Sequence, residues 1–340
     1  MDYFNNISGQ LKNSSQTWLI TGVAGFIGSN LLEKLLNLNQ KVIGLDNLST
    51  GVKLNLDEVQ SNVLEGHWKN FTFVEGDICD LDLCKDTCKK VDHILHQAAL
   101  GSVPRSIVNP INSNEANVTG FLNMLDTARK AEINSFTYAS SSSVYGDHPD
   151  LPKQEFKIGK PLSPYALTKS INEEYSSIFY KNYGFSSIGL RYFNVFGPRQ
   201  NPAGEYAAVI PKWISSMLQN EKIKIYGDGS SSRDFCYIDN VVQINILSAL
   251  SNSESKNKVY NVANGEKTSL TKLFEIIKYN LKENGIEYTH EPNYLDFRKG
   301  DVQHSLADIS KANSMLGYNP KYDVQTGLSR TIRYYLSKEK

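Results

Sequence analysis

What this 340-residue chain lacks narrows its function before any motif is read. Net charge is missing: 36 Lys plus Arg stand against 36 Asp plus Glu, with no basic block, so nucleic acid is not the expected partner. Cysteine is scarce, limited to Cys79, Cys84, Cys88 and Cys236 without a C-x-x-C pair. Reduced structural thiols are therefore expected, and neither a disulfide framework nor a metal site is assigned. No apolar run approaches the roughly 20 residues of a membrane span, and residues 1–16 carry no apolar signal core. The expectation is a cytoplasmic protein with no membrane partner. Internal repeats and a clear linker are absent too. The length suffices for one large or two modest domains, each with a full core.

Among what is present, Tyr165-Ala-Leu-Thr-Lys169 stands out, with the run Ser140-Ser141-Ser142-Ser143 upstream. Tyr165 and Lys169 are spaced i and i+4, so one helix face carries both. A tyrosine hydroxyl titrates near 10, and using it as a base near pH 7 needs a shift of about three units, or about 4 kcal/mol. One ammonium about 4 Å away supplies roughly that at an effective dielectric near 20. A serine hydroxyl from a neighbouring strand end would complete a proton relay to a substrate oxygen.

The N-terminal part supplies the context. Thr17–Thr21 reads as a short buried strand, Gly22-Val-Ala-Gly25-Phe26-Ile27-Gly28 as a glycine turn, and the residues from Ser29 as a helix. Strand, glycine turn and helix bind a dinucleotide because the backbone can approach the pyrophosphate at a helix N-terminus. The next strand, Lys41–Leu45, ends in Asp46, 18 residues after Gly28. An acid there accepts the adenosine ribose hydroxyls and repels a 2′-phosphate, which favours NAD over NADP. The alternative is a glycine turn that only packs helix on strand.

Further strands are expected at Phe71–Glu75, Val91–His96, Phe136–Ala139 and Ser186–Arg191, with helices at Asn114–Lys130 and Pro164–Tyr183. Alternation of this kind gives a parallel sheet covered on both faces. Beyond Arg191 the elements shorten and Gly and Pro increase. The fold class expected is α/β: a doubly wound Rossmann-type parallel sheet with a smaller mixed α/β C-terminal domain. The expected divisions are an N-terminal extension at 1–16, an NAD-binding domain at 17–190 and a substrate domain at 191–340.

Taken together, these motifs resemble the extended short-chain dehydrogenase/reductase family and, within it, the nucleotide-sugar C4-epimerases. The likeness runs from about Thr17 to Tyr335. It is carried by T-G-x-x-G-F-I-G at Thr21–Gly28, D-N at Asp46-Asn47, H-Q-A-A at His96–Ala99 and S-S-S-V-Y-G at Ser141–Gly146. Y-A-x-T-K at Tyr165–Lys169, R-Y-F-N-V-F-G-P at Arg191–Pro198, R-D-F-x-Y-I-D at Arg233–Asp239 and R-K-G-D at Arg298–Asp301 complete it. His96 to Ser106 is most similar to the bacterial UDP-N-acetylglucosamine 4-epimerases of surface-polysaccharide pathways. Related dehydratases and decarboxylases carry a carboxylate just before V-Y-G, where this chain has Ser142 and Ser143. Elimination needs a positioned acid beyond tyrosine, so the resemblance implies epimerisation instead.

In that family Ser141, Tyr165 and Lys169 would be catalytic, with Tyr165 taking the proton of the sugar 4-hydroxyl. Hydride would leave C4 for tightly held NAD and return to the opposite face of a 4-keto sugar. The resemblance also gives the NAD contacts. They are Gly22, Gly25, Phe26, Ile27, Gly28, Asp46, Asn47, Ser49, Thr50, Gly51, Asp77 and Ile78, then Gln97, Ala98, Ala99, Asn117, Tyr165, Lys169 and Tyr192. For a UDP-sugar it implies Arg233 and Arg298 on the diphosphate, suited by arginine's planar fork. Asp301 would take the uridine ribose, Asn194 a phosphate, Tyr226 the uracil face, and Ala208, Val209 and Ile210 the base through backbone. Ser102, Ser141, Ser142 and Tyr165 would meet the sugar. Ser305 occupies a place that is tyrosine in epimerases confined to plain UDP-glucose and UDP-galactose. A serine there leaves room for an N-acetyl group, unless Ser305 merely caps a helix toward Asp308. A homodimer is implied through the helix before the serine run and the helix bearing Tyr165, with Leu122, Leu125, Ile171 and Ile178 available. UDP-glucose or UDP-glucuronate epimerisation stays open, the latter needing a cation such as Arg105. A sugar-nucleotide reductase or a non-catalytic nucleotide sensor also remains.

Overall fold

The computed structural model describes residues 3–203, 207–297 and 303–338. Seven strands form one sheet: β1 (Thr17–Thr21), β2 (Lys41–Asp46), β3 (Phe71–Glu75), β4 (His93–His96), β5 (Ser135–Ser141), β6 (Ser187–Tyr192) and β7 (Lys258–Val262). Their order is β7-β6-β5-β4-β1-β2-β3, and every adjacent pair is parallel. The order reverses between β1 and β4, so the crevice at their C-terminal ends is where such a sheet binds ligands. Central strands buried on both faces explain the apolar run Trp18-Leu19-Ile20, none of which is exposed.

Five helices matter for the site. They are α1 (Tyr3–Asn13), α2 (Phe26–Asn37), α3 (Pro164–Tyr183), α4 (Val209–Leu218) and α5 (Ile238–Ala249). Leu31, Leu32, Leu35 and Leu36 give α2 the apolar stripe that seats it on the sheet. α3 is a 20-residue helix opened by Pro164 and closed by Gly184, whose φ is +68°. Ser163 caps it, its Oγ accepting the amide of Ala166 at 3.1 Å.

Three departures from the sequence expectations stand out. The helix expected over Asn114–Lys130 begins at Pro110 and passes through a π-helical stretch, Glu115–Gly120, before continuing as Phe121–Lys130. Inside the stretch Asn117 donates to Leu100 O at 3.1 Å and accepts the Leu100 amide at 2.7 Å, a long-range pairing that spacing cannot reveal. Second, the chain beyond Arg191 returns to the main sheet as β7. Third, residues 3–13 form a helix whose Phe4 and Leu11 are buried. Gln40 fastens it by donating to Leu11 O at 2.7 Å and accepting the Trp18 indole at 3.2 Å. Leu125, expected as a dimer-face residue, lies in the core, while Ile178 is 46% exposed.

Candidate active site

The glycine turn is forced by contact. Gly22 has φ +71°, and a Cβ on it would sit 2.8 Å from Ala98 N. A Cβ on Gly28 would sit 2.1 Å from Gly22 O. The turn therefore closes against the residues after β4, and α2 begins at Phe26 with Gly25 as an N-cap that offers no side chain, leaving its first amides for an anion. A 310 Å³ cleft opens there, bordered by Gly22, Gly25, Phe26, Ile27 and Gly28. Asp46, Asn47, Ser49, Thr50, Asp77, Ile78, Gln97, Ala98 and Ala99 also line it. Asp46 is 7% exposed; it accepts Ala24 N at 2.9 Å and Leu48 N at 2.8 Å, and burial pushes its carboxyl up. Asn47 donates to Asp77 at 2.7 Å. Glycines that leave no room for a Cβ, open helix amides and a fixed acid after β2 fit NAD.

Other NAD candidates sit around that cleft rather than on its walls. A Cβ on Gly51 would press on Ala24 C at 2.9 Å and Asp46 Oδ2 at 3.0 Å, so Gly51 packs behind the acid. Asn117 is committed to Leu100 and to Thr168 Oγ1 at 3.2 Å. The Tyr192 hydroxyl donates to Gln97 Oε1 at 3.0 Å, and Gln97 donates to Asn245 at 3.0 Å, an arrangement that fixes Gln97 in the cleft.

Ser141 closes β5, and Tyr165 and Lys169 occupy the first turns of α3. The Ser141 hydroxyl oxygen accepts the Ser143 amide at 3.1 Å and the Ser143 hydroxyl at 2.9 Å. Burial pushes the Tyr165 hydroxyl up, and its hydrogen bond with Ser141 opposes that shift. Lys169 is 3% exposed and donates to Ala139 O at 2.8 Å. Burial brings its ammonium down to about 8, against the pull of Glu173. The expected lysine-driven ionisation of Tyr165 is thus not seen in the protein alone. The positive charge of Lys169 is turned to a strand carbonyl, and burial governs the phenol.

Glu173, one turn after Lys169, was not singled out from the sequence, although i+4 spacing carries the signal. It takes both forks of Arg191 from β6, Nε at 2.9 Å and Nη2 at 2.7 Å, and the Ser140 hydroxyl from β5. Arg191 is 2% exposed, so this is a buried, fully bonded pair. His96 lies beneath, its Nδ1 2.9 Å from Thr21 Oγ1, and is held neutral with its pKa brought down to about 3 by burial, then by Lys169.

A second, 640 Å³ cavity adjoins the cleft, since Gly101 borders one and Ser102 the other. Of the substrate candidates, Ser102, Asn194, Val209, Tyr226 and Arg233 line it. Ser102 has φ +92° and caps the helix Val103–Val108 by accepting Arg105 N at 3.3 Å. That helix presents Ser106 Oγ to the Tyr165 amide at 3.0 Å, linking the cavity rim to the catalytic helix. Ala208 is the N-cap of α4, and Ile210 is buried in the core. Ser141, Ser142 and Tyr165 stand at the β5 end, off the cavity wall. Arg298 and Asp301 lie outside the described residues. The Ser305 amide donates to Ser232 O at 3.0 Å, next to Arg233. Ser305 does not cap a helix, because the next one starts at Ser310, whose amide is met by Asp308 at 2.9 Å. Trp213, Lys212 and Lys224 also line the cavity and were missed, since α4 reads as an ordinary amphipathic helix.

Comparison with known proteins agrees with this geometry. A family model described as NAD dependent epimerase/dehydratase matches residues 18–263. The solved UDP-N-acetylglucosamine 4-epimerase of Methanobrevibacter ruminantium M1, in complex with UDP-N-acetylmuramic acid, is 39% identical. It superposes with a TM-score of 0.86 over 96% of this chain and 99% of that one. The Thermotoga maritima UDP-glucose 4-epimerase solved with UDP-glucose is 34% identical, TM-score 0.86, covering 95% and 100%. A UDP-glucuronate 4-epimerase of Thermodesulfobacterium geofontis is 34% identical over 95% of this chain and 96% of its own.

Proposed function

The chain belongs to the NAD dependent epimerase/dehydratase family, and we propose that within it the protein is a UDP-N-acetylglucosamine 4-epimerase. It interconverts UDP-GlcNAc and UDP-GalNAc through a transient 4-keto sugar, as a step toward surface polysaccharide. NAD in the 310 Å³ cleft supplies the reversible acceptor for the C4 hydrogen. The chain's own residues do the rest. Tyr165 takes the 4-hydroxyl proton and returns it, Ser141 hydrogen-bonds the phenol oxygen, and Lys169 supplies a positive charge one turn along the same helix. Arg233 grips the diphosphate, Tyr226 stacks on the base, and Asn194 steadies a phosphate.

The observation that carries the sugar assignment is Ser305, a small half-buried side chain on the segment paired with Ser232 beside Arg233. Similarity to a structure holding an N-acetylated UDP-sugar supports it. We further assign residues 17–190 to NAD and 191–340 to the nucleotide sugar, in a cytoplasmic homodimer with Ile178 on the contact face. Among the described residues no helix is long and apolar enough to cross a membrane.

The test is incubation of the purified protein with UDP-GlcNAc and no added cofactor, followed by product separation. UDP-GalNAc at a stable ratio is the expected result. Conversion of UDP-glucose alone would discard the acetyl assignment, and conversion of UDP-glucuronate alone would move the reading to the uronate enzymes.

A further inference from the structure

Asp234 follows Arg233 in the chain but faces the other way, into the protein, with no exposed surface. Its carboxylate accepts the amides of Asn264 at 2.9 Å, Gly265 at 3.2 Å and Ala307 at 3.1 Å. Its own carbonyl accepts the side-chain amide of Asn194 at 3.2 Å. Asn194 has φ +33°, a backbone conformation that a non-glycine residue keeps only when its surroundings impose it. Ala307 lies two residues after Ser305, whose segment runs between Ser232 on one side and Lys153 on the other. The Lys153 amide donates to Leu306 O at 2.7 Å, and the Asp308 amide donates to Lys153 O at 3.0 Å. The carboxylate therefore joins the segment carrying Arg233, the turn at Asn264 and Gly265 and the segment carrying Ser305, while the Asn194 turn is tied to the same residue through its backbone carbonyl.

The residue type matters. Among the described residues every hydrogen-bond partner of the Asp234 side chain is a backbone N–H, and a carboxylate is a pure acceptor with two oxygens. An asparagine of the same shape would turn an NH₂ group toward one of those donors and leave both unsatisfied. Among the described residues no ion pair reaches Asp234, so its carboxylate is met by backbone donors alone.

We infer that Asp234 is a positioning residue for the nucleotide-sugar side of the site, setting Arg233, Asn194 and Ser305 in the single arrangement that grips the substrate. The inference rests on the UDP-sugar reading above. The test is the Asp234→Asn protein, measured for UDP affinity by calorimetry, for KM and kcat with UDP-GlcNAc, for retained NAD and for melting temperature. The expected result is a loss of UDP affinity and a rise in KM of roughly tenfold or more, with kcat and NAD content nearly kept. Unchanged UDP affinity would overturn the inference, and so would equal losses of UDP affinity and NAD, the mark of a merely structural role.

If Asp234→Asn does not fold, hydrogen exchange on the unmodified protein decides. UDP should slow exchange at the amides of Asn264, Gly265 and Ala307; no change there would contradict the inference. Failure of the unmodified protein to bind UDP at all would overturn the nucleotide-sugar reading and this inference with it. Normal UDP affinity in the variant sinks the positioning role alone.

Discussion

Glu173 and Asp234 are both carboxylates largely withdrawn from water, and each holds one side of the site. Glu173 ties the catalytic helix to the ends of β5 and β6 through a guanidinium, exchanging hydration for an opposite charge. Asp234 ties the substrate side together through amides only. Burial accordingly pushes the Asp234 carboxyl up to about 6, more than its backbone bonds can reverse. The chemistry that moves protons rests on a charge-compensated anchor, while the surface that must take up and release a nucleotide rests on dipoles. Breaking either anchor should damage its own side first.

The largest effect is expected from Tyr165→Phe. It removes the proton acceptor and should cut kcat by roughly 10²–10⁴ while leaving UDP affinity intact. Undiminished turnover would remove Tyr165 from the mechanism and blur the two sides. Next comes Glu173→Gln, which leaves buried Arg191 without its counter-charge; destabilisation of about 3–5 kcal/mol is expected in denaturant titration. A change below 1 kcal/mol would mean that the pair is no anchor. Ser305→Tyr touches only the substrate side and should lower turnover of UDP-GlcNAc relative to UDP-glucose by roughly tenfold or more. Equal losses on both sugars would withdraw the acetyl assignment.

The smallest effect is the most discriminating. Asp234 holds its proton more tightly folded than its ordinary value of 3.8. Its contribution to stability is therefore fully present below about pH 3.8 and lost as pH rises through about 6. Protonation also spends one acceptor that the substrate segments use. UDP affinity should then fall a few-fold as pH drops through about 6, without unfolding caused by this group. The ionisable groups facing Asp234 are the Cys236 thiol and the Tyr318 hydroxyl, both pushed up by burial. His304, whose ring meets Ser232 Oγ at 2.9 Å, is an ionisable side chain next to Ser305. His304→Gln should keep the acid limb, whereas a limb that vanishes in that variant would assign it to the histidine.

Legibility in the sequence followed the range of each interaction. The glycine turn, Asp46 and the Tyr165–Lys169 spacing are local patterns whose geometry is nearly fixed by the backbone, and the glycine turn and Asp46 line one cleft. Five of the substrate candidates line one cavity, among them Asn194 and Arg233 from the motifs R-Y-F-N and R-D-F. What stayed hidden depends on distant partners. Glu173 acquires its role only when β6 delivers Arg191. Asp234 acquires its role only when residues 264–265 and 307 arrive. The π-helical stretch contains Asn117, which bonds distant Leu100, and β7 joins the sheet edge by pairing with β6. The bond from Lys169 to the Ala139 carbonyl was hidden for the same reason, since that carbonyl belongs to another element.

The most direct test of the account follows the hydrogen on C4. UDP-GlcNAc carrying deuterium at C4 should be converted without added cofactor to UDP-GalNAc that keeps the label at C4, in ordinary water. Loss of the label to solvent, or a requirement for added nicotinamide in proportion to product, would contradict a reversible transfer that begins and ends on the same carbon.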